Sequence, residues 1–287
     1  SDGINVLYGK NAQGKTNCAE AVFYLCTGVS PRTGRDKQLI RSGEDGAHIS
    51  ANAETAFGNI SIAADIYETK REIRINGSKI TRNADLLGNI NGVFFSPGEL
   101  RMIQDGPDER RRFLNVSISQ LSRSYYTALV RYNKILEQRN ALLKNRDLSL
   151  VFETLPVWDV QLCRYAAELI ERRGEFLEKL EPLAAEKHAF LTDGAETLEV
   201  GAERKRGNDR DEIAQALLKE MSDNYEKDAL GLYDRRSAPR RSENPGERQG
   251  SARVRIAGAG AHRRSLFKTC RSGYFPPGRG RIPCPHS

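Results

Sequence analysis

The residues Gly9-Lys10-Asn11-Ala12-Gln13-Gly14-Lys15-Thr16 fit the spacing G-x-x-x-x-G-K-[ST], which serves to cradle a nucleotide's phosphates. Gly9 and Gly14 bracket a loop whose backbone N–H groups must turn inward, and side chains at those bends would block a phosphate's approach. Lys15 offers a point charge to the β- and γ-phosphates. The Thr16 hydroxyl is placed to ligate Mg²⁺. The expected ligands are therefore ATP and Mg²⁺, with all eight residues binding nucleotide and Thr16 also binding metal.

Such a loop works only between a strand and a helix. Ile4-Asn5-Val6-Leu7-Tyr8 is a β-prone run directly before it. Asn17 to Cys26, with Ala19, Ala21, Val22 and Leu25, reads as an apolar helix directly after it, whose N-terminus adds partial positive charge. The bland alternative, a glycine-rich turn without function, does not account for that order.

The chain has 287 residues, enough for one large domain or two smaller ones, and 38% are hydrophobic. Its net charge of +7 hides a split. Residues 231–287 hold thirteen Lys/Arg and three Asp/Glu, while the rest is slightly acidic. A nucleic-acid reading from bulk charge would therefore lean wholly on the tail. The scattered cysteines (Cys18, Cys26, Cys163, Cys270, Cys284) form no CxxC pair and no metal spacing, which points to reduced thiols in a cytoplasmic protein. No apolar run approaches the ~20 residues of a membrane span. The chain opens at Ser1 without Met, so the absence of a leader carries little weight.

From His48 to Ile80 the apolar period is close to two, with Ile60, Ile62, Ala64, Ile73 and Ile75 alternating with polar residues and Asn76-Gly77 signalling a tight turn. Antiparallel strands are expected there. Lys70, Arg71, Arg74 and Lys79 could make a DNA-facing edge, but a solvated strand face is the preferred reading. After Phe94-Phe95-Ser96-Pro97 the period becomes helical: Leu114, Ile118, Leu121, Tyr125, Leu129, Tyr132 and Leu136 mark one face of a long helix. Trp158, Leu162, Tyr165, Leu169, Phe176 and Leu180 mark a second, with a turn expected over Asn145–Pro156 and the pair packing as an antiparallel arm. Arg110-Arg111-Arg112 near the first helix start opposes the helix dipole. These arginines could face phosphate or the acids Asp108 and Glu109, and the two readings stand equal. Asp193–Asp211 is polar, and Asp211–Tyr225 is helical again with Ile213, Leu217, Leu218 and Met221 on one side.

Together these blocks resemble the RecF family of bacterial recombination mediators. The resemblance rests on Gly3–Leu7 leading into Gly9–Asn17, on Arg32-Thr33-Gly34-Arg35-Asp36-Lys37, and on Leu39-Ile40-Arg41. It continues through Phe95-Ser96-Pro97, Arg110–Leu114, Tyr132-Asn133, Gln138–Lys144, Trp158-Asp159 and Tyr225–Asp228. Two departures stand out. Ala12 replaces the glycine usual in the loop and should be tolerated only at negative φ, and Asn115 stands where the family usually has Asp.

The resemblance implies an α/β fold: a partial P-loop ABC-ATPase-type head with an antiparallel β subdomain over residues 1–98, and an inserted helical arm (lobe II) with its return over 99–230. It also implies that the chain starts inside the head sheet, with strands missing in front. The implied job is DNA replication, gap repair, recombination and the SOS response. ATP-dependent homodimers would bind single-stranded and gapped DNA and, with RecO and RecR, help recombinase loading.

The tail, 231–287, does not fit. It holds eight Gly, six Pro and seven Ile/Val/Leu/Phe, too little apolar surface to offset an ordering cost of ~1–2 kcal/mol per residue. A disordered, non-native tail is expected. A frame moved forward by one base keeps the second base of each old residue and the first of the next. From Gly231 it permits GFTTVGAHRDDLKIRVNG, and from Arg253 it permits VYGSQGQGHTAALSLKLAE. These resemble the family's GPHRDD region and SQGQ signature, and Tyr-Pro-Val-Leu can be spelled over Ile282–Pro285, just before the acidic Walker B strand would begin. The family is a slow DNA-dependent ATPase. This chain, without signature or Walker B, is expected to lack turnover, and no catalytic residue is assigned. Two other readings stay open: a non-enzymatic DNA-binding or adaptor protein with a structural P-loop, and, less well supported, a small-molecule kinase.

Overall fold

The alternating isoleucines form the strands they should. In the computed structural model, which describes residues 3–96, 107–145, 147–202, 207, 209–223 and 252–258, four strands make an antiparallel meander in the order β1-β2-β3-β4. They are β1 (Gly46–Thr55), β2 (Gly58–Tyr67), β3 (Arg71–Ile75) and β4 (Ser78–Lys79). Ile62, Ala64 and Ile66 of β2 and Ile73 of β3 point inward and are buried. Asn76 and Gly77 turn the last hairpin at φ 50° and 79°, the two positive values a type I′ turn needs. Pro97, Tyr225–Asp228, Cys270, Cys284 and the tail outside 252–258 lie beyond the described residues.

Helix α1 (Lys15–Thr27) follows the P-loop and ends on Gly28, at φ 68°, whose N–H bonds back to the Tyr24 carbonyl. Tyr24 and Leu25 pack on Ile62, Ile66, Ile73 and Leu86 to form the head's core. The expected strand Ile4–Tyr8 is absent. Ile4 is 95% and Tyr8 92% exposed. A strand exists only against a neighbour that takes its backbone hydrogen bonds, and among the described residues none pairs with this segment.

The arm is built from α2 (Pro107–Leu121), α3 (Arg123–Leu142), α4 (Leu148–Leu191) and α5 (Arg210–Asp223). The first apolar stripe is broken, contrary to expectation. Ser122 leaves the helix and caps α3, its Oγ accepting from the Tyr125 N–H at 3.2 Å, so Leu121 turns out to solvent, 67% exposed. The turn expected over Asn145–Pro156 is also shorter. Asp147 caps α4 through the Leu150 N–H, and the helix runs on through Pro156. Val151 and Leu155 bury against Leu143 there, and that packing overrides the proline's local preference. The second stripe behaves as read. Leu162 and Leu169 are core residues, with Trp158, Tyr165, Phe176 and Leu180 packed around them.

Inside the arm, Arg139 and Asp159 form an ion pair at 2.5 Å with side chains only 3% and 4% exposed. Cys163 lies one turn further along α4, and its thiol is pushed up to about 12, chiefly by burial and then by the Asp159 charge. Ile213, Leu217 and Met221 of α5 close the core as expected.

The polar stretch before α5 contains an unexpected strand, β5 (Glu196–Ala202), which pairs antiparallel with β6 (Ala252–Gly258), Val200 opposite Val254. The tail is therefore not uniformly without structure. Arg-Val-Arg-Ile-Ala is a locally β-competent alternation within a composition that otherwise opposes order.

Polar clamps join arm to head. The Gln120 amide both donates to the Gly92 carbonyl (3.1 Å) and accepts from the Gly92 N–H (2.7 Å). Arg112 donates to the Ser30 and Pro31 carbonyls at 2.8 and 3.1 Å, and Arg123 to the Leu87 carbonyl at 3.3 Å.

Candidate phosphate-binding site

The loop Gly9–Gly14 leads straight into α1. Gly9 and Gly14 have φ of 145° and 80°, the freedom that their positions in the motif require. Ala12 departs from expectation. Its φ is 63°, in the left-handed region, so the loop keeps the backbone shape that the family's glycine would adopt without strain.

The Lys15 ammonium folds over the loop and donates to the Gly9 and Lys10 carbonyls at 2.8 and 2.7 Å. These bonds hold its charge against the loop. The Cys18 N–H makes the first helical bond, to Gly14, so the N–H groups of Lys15, Thr16 and Asn17 fall within the turn that has no intrahelical acceptor. No side chain caps this end and no acid sits in the first turn. The partial positive charge of this helix end is therefore not offset by a side chain of the first turn.

Lys10, Asn11, Gln13 and Thr16 are exposed around the same opening. Thr16 is the residue whose hydroxyl the motif assigns to a metal ion. Among the described residues no group of three or more His, Cys, Asp or Glu could hold a metal.

Behind the loop lies a network that local sequence does not reveal. Glu20 of α1 is 6% exposed and accepts from the Ser30 hydroxyl and from Arg32 Nη1 at 3.2 Å. Arg32 also reaches the Asn17 amide oxygen at 3.3 Å. The Ser30 Oγ in turn accepts from the backbone N–H groups of Arg32 and Thr33, both at 3.0 Å. Glu20 thereby fixes the segment after α1 and sets a guanidinium beside the first turn of the phosphate helix. In the sequence its only trace is an acid, Glu20, within the otherwise apolar run of α1.

The basic residues set aside earlier find structural partners. Arg71 donates to Tyr24 Oη (3.1 Å), Asp36 (2.9 Å), Asn83 (3.3 Å) and the Gly28 carbonyl, tying α1 to the sheet. Burial pushes the Tyr24 phenol up to about 12 against the lowering effect of Arg71. Lys70, Arg74 and Lys79 pair with Glu72, and Arg74 also with Asp65, as a strand face would. Of the arginines near the arm's start, Arg111 pairs with Asp108, while Arg112 bonds the head's carbonyls.

The family model described as an AAA domain matches residues 1–229. The chain is 40% identical over 201 residues to the "DNA replication and repair protein RecF" of Lachnospira eligens, covering 69% of this chain and 55% of that one. It is 37% identical over 226 residues to the protein of the same name from Clostridium perfringens, covering 78% and 62%. Among solved structures it resembles the recombination mediator protein RecF with ATP, in the RecFOR pathway, with TM-score 0.75 and 26% identity over 87% of this chain and 66% of that one. The corresponding RecF-ATPrS structure gives TM-score 0.73 and 27% identity. The chain thus spans 55–62% of the length of these two curated relatives.

Proposed function

Since this chain belongs to the AAA-domain family and, within it, to the RecF family, we propose that it carries the ATP-binding half of a RecF-type recombination mediator. The supporting observation is the uncapped, acid-free N-terminus of α1 beneath the Gly9–Thr16 loop, with Lys15 held over it. Phosphates would replace the two carbonyls as partners of Lys15. Thr16 would hold Mg²⁺, which bridges phosphate oxygens and neutralises their charge when bound. Arg32, held by its ion pair with Glu20, stands beside the first turn.

In the intact protein ATP would close two heads into a dimer on single-stranded or gapped DNA. That dimer would act with RecO and RecR in the cytoplasm during replication, gap repair and the SOS response. The chain itself would bind nucleotide without turning it over, because it has no Walker B carboxylates or signature. ATP turnover abolished by Lys15→Ala would overturn that last statement.

We further propose that residues 231–287 are read from a shifted frame. The family match ends at residue 229, beside the point where the composition changes. The coding DNA around codons 225–235 decides the matter, and a shifted frame without an open reading of the motifs would refute it.

The exposed Ile4–Tyr8 segment and the strained Ala12 favour one second reading: a DNA-binding or adaptor protein in which the loop is structural. Sedimentation with and without MgATP, together with anisotropy on a gapped duplex, separates the two. ATP-dependent dimers that bind the duplex support the mediator reading. Monomers whose DNA binding ignores ATP refute it.

A further inference from the structure

The arm contains a charged cluster that the nucleotide site does not use. Arg173 of α4 is 6% exposed, yet its partners are neutral. Its Nε donates to Tyr125 Oη at 2.9 Å and its Nη2 to Asn115 Oδ1 at 2.7 Å. Tyr125 donates its own hydroxyl proton to the same Asn115 oxygen at 2.7 Å. That oxygen therefore accepts two hydrogen bonds and carries no charge. Among the described residues no carboxylate pairs with Arg173, and a buried cation without a counter-charge is costly.

A cavity of about 270 Å³ opens beside this guanidinium, where α2, α3 and α4 meet. Arg111, Arg112, Asn115, Asn133 and Arg173 supply polar groups to its wall, and Asp108, paired with Arg111, is the lone acid in it. Three guanidinium groups thus face one carboxylate. At roughly 30 Å³ per water, the space holds several waters or one tetrahedral oxyanion with some of them.

We propose that this cavity binds a phosphate-type oxyanion, which supplies the negative charge that Asn115 does not. Guanidinium forks suit such an ion, because parallel N–H donors match its oxygens. Asn133, exposed on the rim side of α3, adds an amide. The ion can come from free phosphate or from a nucleic-acid backbone, and both present the same oxygens.

The P-loop also attracts phosphate, so the test is made on the full chain carrying Lys15→Ala. Inorganic phosphate is titrated by calorimetry at constant ionic strength in chloride, and a short single-stranded oligonucleotide is titrated in parallel. Phosphate should still bind. Asn133→Asp, at an exposed position, should weaken that binding by at least about tenfold through like-charge repulsion. Asn115→Asp should do the same while raising the midpoint of thermal unfolding in chloride, since a carboxylate then meets Arg173. Unchanged oligonucleotide affinity in Asn133→Asp identifies the ligand as the free ion, and a parallel tenfold loss identifies a backbone phosphate. Either result supports an oxyanion site. Absence of phosphate binding in the Lys15→Ala chain, or equal binding with and without Asn133→Asp, overturns the proposal, and neither bears on whether the P-loop takes ATP.

Discussion

Replacing Asp159 with Asn tests how the arm is held together. Asp159 and Arg139 bond at 2.5 Å with 4% and 3% of their side chains exposed, on helices α4 and α3. The substitution keeps the shape and removes the Asp159 charge that faces the Arg139 guanidinium, beside a core of Leu162, Ile135 and their neighbours. Breaking a buried pair from one side costs about 3–5 kcal/mol, against a total domain stability of about 5–15 kcal/mol. The low end of that range is a change of more than 100-fold in the folding equilibrium. Urea unfolding followed by helical circular dichroism should show the midpoint fall with little change in slope. The double variant Arg139→Met with Asp159→Leu should recover most of the loss, because well-packed apolar side chains replace buried pairs at little or no cost. A loss below about 1 kcal/mol for Asp159→Asn, the range of exposed pairs, would refute the reasoning. So would a double variant no more stable than the single.

Ala12 holds φ 63° without being glycine. Ala12→Gly should therefore be neutral or stabilise by up to about 1 kcal/mol in thermal unfolding, while Ala12→Val should weaken nucleotide binding about tenfold, because a β-branched residue does not hold that conformation. The Asp65 carboxyl is held below its usual 3.8, first by the hydrogen bond from His48 and then by Arg74. A lowered folded value contributes stability above the unfolded value and loses it as pH falls through the folded one. Asp65→Asn should thus cost on the order of 1 kcal/mol or less near pH 7, and in urea unfolding its deficit against the parent chain should begin to shrink near pH 3.8 and close only once the pH is below the lowered folded value.

The motif and the stripes were legible because they are local. Gly9–Thr16, the Ile60-Ile62-Ala64 alternation and the Leu162–Leu180 face each follow from spacing along one element. The misses arose where a distant partner, or a cap, decided the outcome. Ile4–Tyr8 has strand propensity but no neighbouring strand among the described residues. Ser122 broke a continuous apolar stripe through a single cap hydrogen bond. Pro156 stayed helical because Val151 and Leu155 found a core. β5 is not legible in local sequence because its partner lies in a tail whose overall composition argues against order.

The polar networks of head and arm were illegible for the same reason. Arg71 joins Tyr24, Asp36 and Asn83, and Arg173 joins Asn115 and Tyr125, across separations that no periodicity encodes. Arg32 and Asn17 stood among the residues carrying the family resemblance, but their meeting beside the loop needed the fold.

The central claim is that Gly9–Thr16 is a working phosphate cradle in this chain. Calorimetric titration of the 287-residue protein with MgATP, beside its Lys15→Ala variant, tests it most directly. Saturable binding at one site per chain, weakened at least about tenfold by loss of the ammonium, is the expected result. Equal binding by both proteins, or binding by neither while both remain folded, would contradict it.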